Sequence, residues 1–184
     1  MTAAECGCAY RPRVDGRHFP DPVRAALSAA GWSVGKRDEE RARQWGLRLS
    51  AYSSVEGRTH TFFPAALEAL AEFGGVVVPA DASGEEVAVS GFALDPELAL
   101  HTVSSLANLG AALSTRLFPL GVEGEGCGIL AVDETGRVFL LDHAGEWFLG
   151  GCTAEALVAL VTGRLPALLR EDGSWPGAAD PPQG

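Results

Sequence analysis

The stretch of residues 62–78 constrains the fold more than any other part of the chain, because it predicts a helix, its end and a strand in succession. Pro64 suits the first turn of a helix, where no backbone N–H is needed. Apolar side chains recur at the spacing of one buried helical face: Phe63, Leu67, Leu70 and Phe73. Gly74 and Gly75 indicate the helix end, because glycine adopts the left-handed conformation at little cost. Residues 76–78 are all valine, which favours a strand.

Two further helices are predicted on the N-terminal side of this stretch. Asp21 is predicted to cap the first of them, with Pro22 at its first position and Gly31 at its end. The second is predicted over residues 38–52, because four apolar or aromatic residues share one helical face: Ala42, Trp45, Leu49 and Tyr52.

The middle of the chain predicts a strand at residues 87–92, where apolar and small residues alternate. A long helical region then begins at Asp95, which is followed by proline, and Gly110 is expected to divide it. The Phe-Pro-Leu-Gly sequence at 118–121 is expected to end this region. The glycine-rich residues 121–126 predict a flexible loop.

Three short strands separated by tight turns are predicted next, at residues 129–132, 138–141 and 146–149. Residues 138–141 include no polar side chain, so both faces of that strand should be covered. A last helix is predicted at 154–162, capped by Thr153 and closed by Gly163. The element order predicts an α+β fold, a single domain with a mainly antiparallel sheet and several packed helices.

The two ends of the chain differ in composition from this domain. Residues 1–18 predict a flexible N-terminal arm, residues 19–170 the single domain, and the Pro- and Gly-rich residues 171–184 a disordered tail. No apolar run is long enough for a membrane helix, and the first residues have no signal-peptide core. We therefore expect a cytoplasmic protein that does not bind a membrane.

Charge is distributed unevenly along the sequence. Residues 1–58 contain ten basic and seven acidic residues, whereas residues 59–115 contain seven acidic residues and no Lys or Arg. Residues 116–184 contain four basic and ten acidic residues, and the whole chain has a net charge of −10. A field of this sign repels nucleic acid and attracts basic proteins. The alternative explanation is that the acidic residues only keep the protein soluble, as they do in many proteins.

The sequence contains no phosphate-binding loop, dinucleotide fingerprint or zinc-deaminase motif, so we expect no cofactor and no metal. Cys6 and Cys8 are one residue apart and lack the usual spacing of zinc ligands. A thiol hydrolase that uses Cys127 or Cys152 with His143 remains an alternative, because Cys–His chemistry needs only proximity in space. Since buried cysteines are more often structural, we expect that the protein is not an enzyme.

Several short motifs occur in one order along most of the chain: Ala30-Gly31-Trp32, Lys36-Arg37, Phe73-Gly74-Gly75, Asp95-Pro96, Phe118-Pro119-Leu120-Gly121, Val132-Asp133 and Gly136-Arg137-Val138. In this order they resemble the third branch of the SUKH superfamily of bacterial immunity proteins. The resemblance implies an α+β fold and a non-enzymatic role. Such proteins bind and neutralise toxins of polymorphic toxin systems, often nucleases or deaminases. A further interpretation of the sequence is a scaffold protein of the same fold that has no toxin partner.

Five residues are predicted to contact the partner, which we expect to be a basic toxin protein. Four are acids in turn-like positions, and the fifth is an aromatic residue on the last strand: Glu85, Glu86, Asp133, Glu134 and Trp147. Aromatic anchors surrounded by charged residues are typical of protein interfaces, although core packing explains a tryptophan equally well. If residues 59–115 and 121–155 share a face, their negative fields add and steer a basic partner towards that face.

Overall fold

The structure is a computed structural model that describes residues 19–81 and 83–176. The helices of these residues are α1 (Asp21–Ala29), α2 (Glu39–Ala51), α3 (Pro64–Phe73), a 3₁₀ helix (Pro96–Thr102), α4 (Val103–Leu113) and α5 (Thr153–Thr162). The strands are β1 (Val77–Val78), β2 (Phe92–Ala93), β3 (Leu117–Glu123), β4 (Gly128–Asp133), β5 (Val138–Asp142), β6 (Gly145–Gly150) and β7 (Ala167–Leu168). The predicted arm at 1–18, and residues 177–184 of the predicted tail, lie outside the described residues.

One antiparallel sheet contains the seven strands in the order of the sequence, so each strand pairs with the strands that precede and follow it. This arrangement confirms the predicted α+β fold with a mainly antiparallel sheet. The three predicted strands of the meander are β4, β5 and β6, joined by tight turns.

The sheet separates two hydrophobic clusters. The larger one lies between one sheet face and α1, α2, α3 and α5, whereas the smaller one lies on the other face beneath α4. Strand β5 contributes to both, with Val138 and Leu140 in the larger cluster and Phe139 and Leu141 in the smaller. The prediction that both faces of this strand are covered is therefore confirmed.

Helix α3 confirms the prediction made from the Phe62–Val78 stretch, with two local differences. Leu70 and Phe73 are buried, whereas Leu67 at the margin of the same face is only half-buried. Gly75 has the left-handed φ of +86°, while Gly74 has a φ of −59°. The backbone N–H of Gly74 still donates to the Leu70 carbonyl, as in a helix. The left-handed residue that ends the helix is therefore Gly75 alone.

The two N-terminal helices occur close to their predicted positions. Pro20 is the N-cap of α1, so the assignment of that role to Asp21 was wrong. Asp21 lies inside the first turn, where its carboxylate pairs with the Arg24 side chain instead of capping a backbone N–H. Asp38 caps α2, because its carboxylate accepts from the backbone N–H of Arg41 at 2.9 Å.

The strand predicted at residues 87–92 is replaced by a loop and the short strand β2. The backbone N–H groups of Glu85, Glu86 and Val87 donate to carbonyls of Thr162 and Gly163 at the end of α5. These bonds hold the start of the segment against the end of α5. Within the predicted strand outside β2, Val89 alone pairs in the manner of a strand, through backbone hydrogen bonds with Asp81. The prediction failed because a distant helix end supplied the backbone partners.

The helical region after Asp95 divides at Ala99, whose φ of −109° and ψ of 20° depart from helical values, and not at Gly110. Asp95 does cap its start, accepting from the backbone N–H of Glu97 at 3.0 Å. Gly110 lies inside α4, where a Cβ atom would come within 2.6 Å of the Thr115 carbonyl oxygen. Its absent side chain lets the chain fold back and enter β3, which contains the Phe-Pro-Leu-Gly sequence predicted to end the helical region.

The first residues of the predicted disordered tail pack onto the domain. The ring of Trp175 stacks on Phe148 with centroids 4.5 Å apart and planes 18° apart, and it meets Phe139 edge-on. Leu169 is buried in the same cluster. The C-terminal segment therefore covers the sheet face beside α4 as far as Trp175, beyond the expected boundary at residue 170.

Trp175→Ala is expected to lower the free energy of unfolding by about 1–3 kcal/mol, because it removes a stacked ring from the smaller cluster. Chemical denaturation followed by far-UV circular dichroism measures the change. Trp175→Phe is the matched control, because it keeps an aromatic ring against Phe148 and should recover most of the loss. An unchanged denaturation midpoint for Trp175→Ala would show that the segment contributes nothing to stability.

His60 makes stability depend on pH. The side chain is buried, and its Nε2 lies 2.9 Å from the Leu100 carbonyl oxygen. Burial lowers the pKa of His60 below its ordinary value of 6.5, although the bond to Leu100 opposes this shift. Because the unfolded chain then takes up a proton more readily, this contribution to stability is complete above pH 6.5 and declines as the pH falls below it.

We expect the wild-type free energy of unfolding to fall between pH 7 and pH 5 by more than that of His60→Gln, which can bond to Leu100 without titrating. Denaturant titrations at several pH values measure this difference. Parallel pH profiles for the two proteins would exclude His60 as the cause.

Candidate functional site

A cleft of about 320 Å³ lies at one end of the sheet. Because the strands are antiparallel, the β3–β4 and β5–β6 connections meet at this end, which we call the cleft end. The side chains with functional chemistry here are Glu123, Cys127, Asp142, His143 and Trp147. Leu140, Leu165 and Pro166 supply apolar walls.

Asp142 holds the β5–β6 turn and the tryptophan beside it. Its Oδ1 accepts from the backbone N–H groups of Ala144 at 2.8 Å and Gly145 at 3.0 Å. The same oxygen accepts from Nε1 of Trp147 at 3.2 Å. Trp147 is half-buried and lies opposite Leu140 in the strand register, so its ring is fixed at the cleft.

The electrostatic character of the cleft is negative. Glu123 is half-buried and has no hydrogen-bond or ion-pair partner among the described residues. No Lys or Arg side chain of the described chain lines the cleft. Arg164 precedes the lining residue Leu165, but its Nε donates to Glu85 at 2.8 Å. The cleft therefore offers carboxylates and an indole ring to a cation from outside.

The cysteines separate in the structure. Cys127 is exposed and lines the cleft together with His143, whereas Cys152 precedes α5 and packs against the larger cluster. A thiol nucleophile requires a base within hydrogen-bond reach. Within the described residues no hydrogen bond joins Cys127 to His143. Across the same residues, no group of three or more His, Cys, Asp or Glu is arranged to hold a metal ion.

Glu85 and Glu86 anchor their loop to the end of α5. The carboxylate of Glu85 pairs with Arg164, and the carboxylate of Glu86 accepts from the backbone N–H of Leu165 at 2.6 Å. Since Leu165 lines the cleft, both predicted contact residues lie near the cleft end.

Asp133 and Glu134 lie in the β4–β5 turn, at the opposite end of the sheet. Asp133, one of the predicted partner contacts, is fully buried in this structure. Its Oδ1 accepts from the backbone N–H groups of Thr135 and Arg137, both at 2.9 Å, and Arg137 Nε donates to its Oδ2 at 2.6 Å. Glu134 pairs with Arg116, and hydrogen bonds from Arg116 lower the pKa of Glu134. The predicted acids therefore do not share one face.

Of the five predicted contact residues, only Trp147 lines the cleft, and reasoning from the sequence missed Glu123 and Asp142. The signal for Asp142 was present, since an aspartate directly before a tight turn often accepts hydrogen bonds from its backbone. No local pattern in the sequence indicates a role for Glu123. It reaches the cleft because β4 pairs with both β3 and β5 and so brings the walls of the cleft together.

The sequence of the chain matches a model of a known protein family. The model for the SUKH-3 immunity protein family matches residues 19–163. The chain belongs to the SUKH-3 immunity protein family. The match confirms the resemblance inferred from the motifs, and it gives the chain the role of an immunity protein.

The family match includes the cleft residues from β3 to β6, but it ends before Leu165, β7 and Trp175. No curated protein and no solved structure is significantly similar to this SUKH-3 chain. Within residues 19–81 and 83–176, every helix falls short of the length and apolar character that a membrane span requires.

Proposed function

We propose that this SUKH-3 protein binds a cognate toxin of a polymorphic toxin system in the cytoplasm and neutralises it by protein contact. The observation that carries the proposal is the family match over residues 19–163. The net charge of −10 supports a basic toxin partner, such as a nuclease or a deaminase.

The contact surface that we propose is the cleft end of the sheet. Trp147 lies there, and Glu85 and Glu86 lie beside it. Glu134 remains a secondary candidate at the opposite end, where Arg116 already neutralises its charge. Asp133 is not part of the proposed surface because it is buried.

The test is co-expression of this chain with the toxin encoded by the neighbouring gene. We expect the chain to restore growth of cells that produce the toxin, and the purified proteins to form a stable complex. Because opposite charges steer the encounter, the association rate should fall steeply with salt. A chain that neither restores growth nor binds the toxin would contradict the proposal.

A cysteine hydrolase is the second candidate, and the shared cleft of Cys127 and His143 is the observation that favours it. The double variant Cys127→Ala/Cys152→Ala separates the two functions. A binding protein should keep toxin neutralisation in this variant, whereas a hydrolase should lose all activity while still folded.

A further inference from the structure

The cleft combines a hydrophobic wall with an open mouth. Leu140 is buried behind it, and Trp147 presents a half-buried ring, while Leu165 at the rim is 62% exposed. Apolar walls with a few convergent polar groups are typical of a site that takes up a side chain or a small ligand. An occupant of this cleft therefore needs an apolar stem.

The polar groups of the cleft specify the charge of this occupant. Glu123 has no partner among the described residues, and all three hydrogen bonds to Asp142 end on Oδ1. The Oδ2 atom of Asp142 is therefore without a partner in the described part of the chain. Two carboxylates with spare acceptor capacity beside an indole ring complement a cation.

Several carboxylates elsewhere in the described part of the chain are already paired. Examples of ion pairs with the chain's own arginines are Glu68–Arg37, Glu85–Arg164, Glu97–Arg48, Glu134–Arg116 and Asp133–Arg137. Within residues 19–81 and 83–176, no Lys or Arg lines the cleft, so no cation of this kind pairs with Glu123 in that part of the chain.

We propose that the cleft binds an arginine side chain presented by a protein partner, which rests on the proposed function where that partner is the toxin. The planar guanidinium stacks on the Trp147 indole and pairs with the Glu123 carboxylate. The methylene groups of the arginine pack against Leu140 and Leu165. The cleft end is thus the position of a single anchoring residue in the interface.

The first arm of the test needs no toxin. N-acetyl-arginine amide is titrated into the full chain, and the Nε1–H resonance of Trp147 is followed by NMR, with Trp147→Phe used to assign it. We expect a saturable shift of this resonance in the wild type and a shift at least severalfold weaker in Glu123→Gln. N-acetyl-norleucine amide is the uncharged control. An equal shift with norleucine amide, or no shift with either compound, would overturn the proposal.

The second arm measures toxin binding. Glu123→Gln should weaken binding at least about tenfold, mainly through faster dissociation, because one charge-assisted bond is lost. Glu123→Lys should weaken it further by placing a cation in the cleft. Glu40→Gln is the matched control, since it makes the same change at an exposed position on α2, away from the cleft. It should leave affinity unchanged.

The two arms fail for different reasons. Tight toxin binding that is indifferent to both Glu123 variants overturns the arginine anchor and leaves the immunity function intact. A saturable arginine-dependent shift of Trp147, together with no toxin binding by the wild type, overturns the immunity proposal and supports the cleft as an arginine site.

Discussion

Asp133→Ala is expected to lower the free energy of unfolding by about 3 kcal/mol or more, because it removes a fully buried carboxylate that accepts hydrogen bonds from Thr135 and Arg137. The fully buried carboxylate joins the backbone of Thr135 and Arg137 to the Arg137 guanidinium, whose Nη2 lies 2.5 Å from Oδ2. Removal of the carboxylate unpairs the guanidinium and opens the β4–β5 turn. A urea titration measures the effect.

Glu134→Ala is the matched control for this prediction. Glu134 is the next residue of the same turn, but its carboxylate pairs with Arg116 at the surface, where ion pairs contribute little to stability. We expect its denaturation midpoint to stay close to that of the wild type. Similar midpoints for the two alanine variants would show that burial of Asp133 does not stabilise the turn.

Phe73→Ala is expected to lower the free energy of unfolding by about 3–5 kcal/mol, because it empties the centre of the larger cluster. The Phe73 ring stacks on Trp32 with centroids 6.1 Å apart, and it meets Phe19 edge-on at the same distance. A cavity in this position separates α3 from the two aromatic residues that flank α1. The loss should appear as a lower midpoint in chemical denaturation.

Leu67→Ala on the same helix is the comparison for Phe73. Leu67 is only half-buried, so the same truncation removes fewer contacts and should cost less than half as much. Equal losses at the two positions would contradict the assignment of Phe73 to the centre of the cluster.

The elements that could be predicted from the sequence are those whose signals are local. Helix α3 shows a complete amphipathic period, and β4, β5 and β6 are separated by turns of few residues. The two-sided burial of β5 could also be predicted, because residues 138–141 are all apolar. Each of these inferences required only neighbouring residues.

Strand β3 was missed because Pro119 and Gly121 usually interrupt regular structure. In the sheet they lie at a shift in the β3–β4 register, and proline and glycine are tolerated at such irregularities. Gly121 is required there, since a Cβ atom would lie 2.0 Å from the Ala93 carbonyl oxygen. Only the neighbouring strand β2 explains this requirement.

The candidate site was predicted only in part because burial and proximity depend on distant segments. Asp133 has the sequence of an exposed turn acid, but the turn folds Arg137 back over it. The cleft combines Ser90, Glu123, Asp142 and Leu165, which no local pattern relates to one another. Trp147, which lines the cleft, could be singled out from the sequence because it is an aromatic residue beside acids.

The sequential order of the sheet has a consequence for how the chain folds. Each strand pairs with its neighbours in sequence, so the hairpins from β3 to β6 can form one after another as they leave the ribosome. Helix α1 is different, because it packs against α5, near the opposite end of the chain. Helix α1 can therefore make this contact only after α5 has been synthesised, and the formation of the contact is expected to be the slow step of folding.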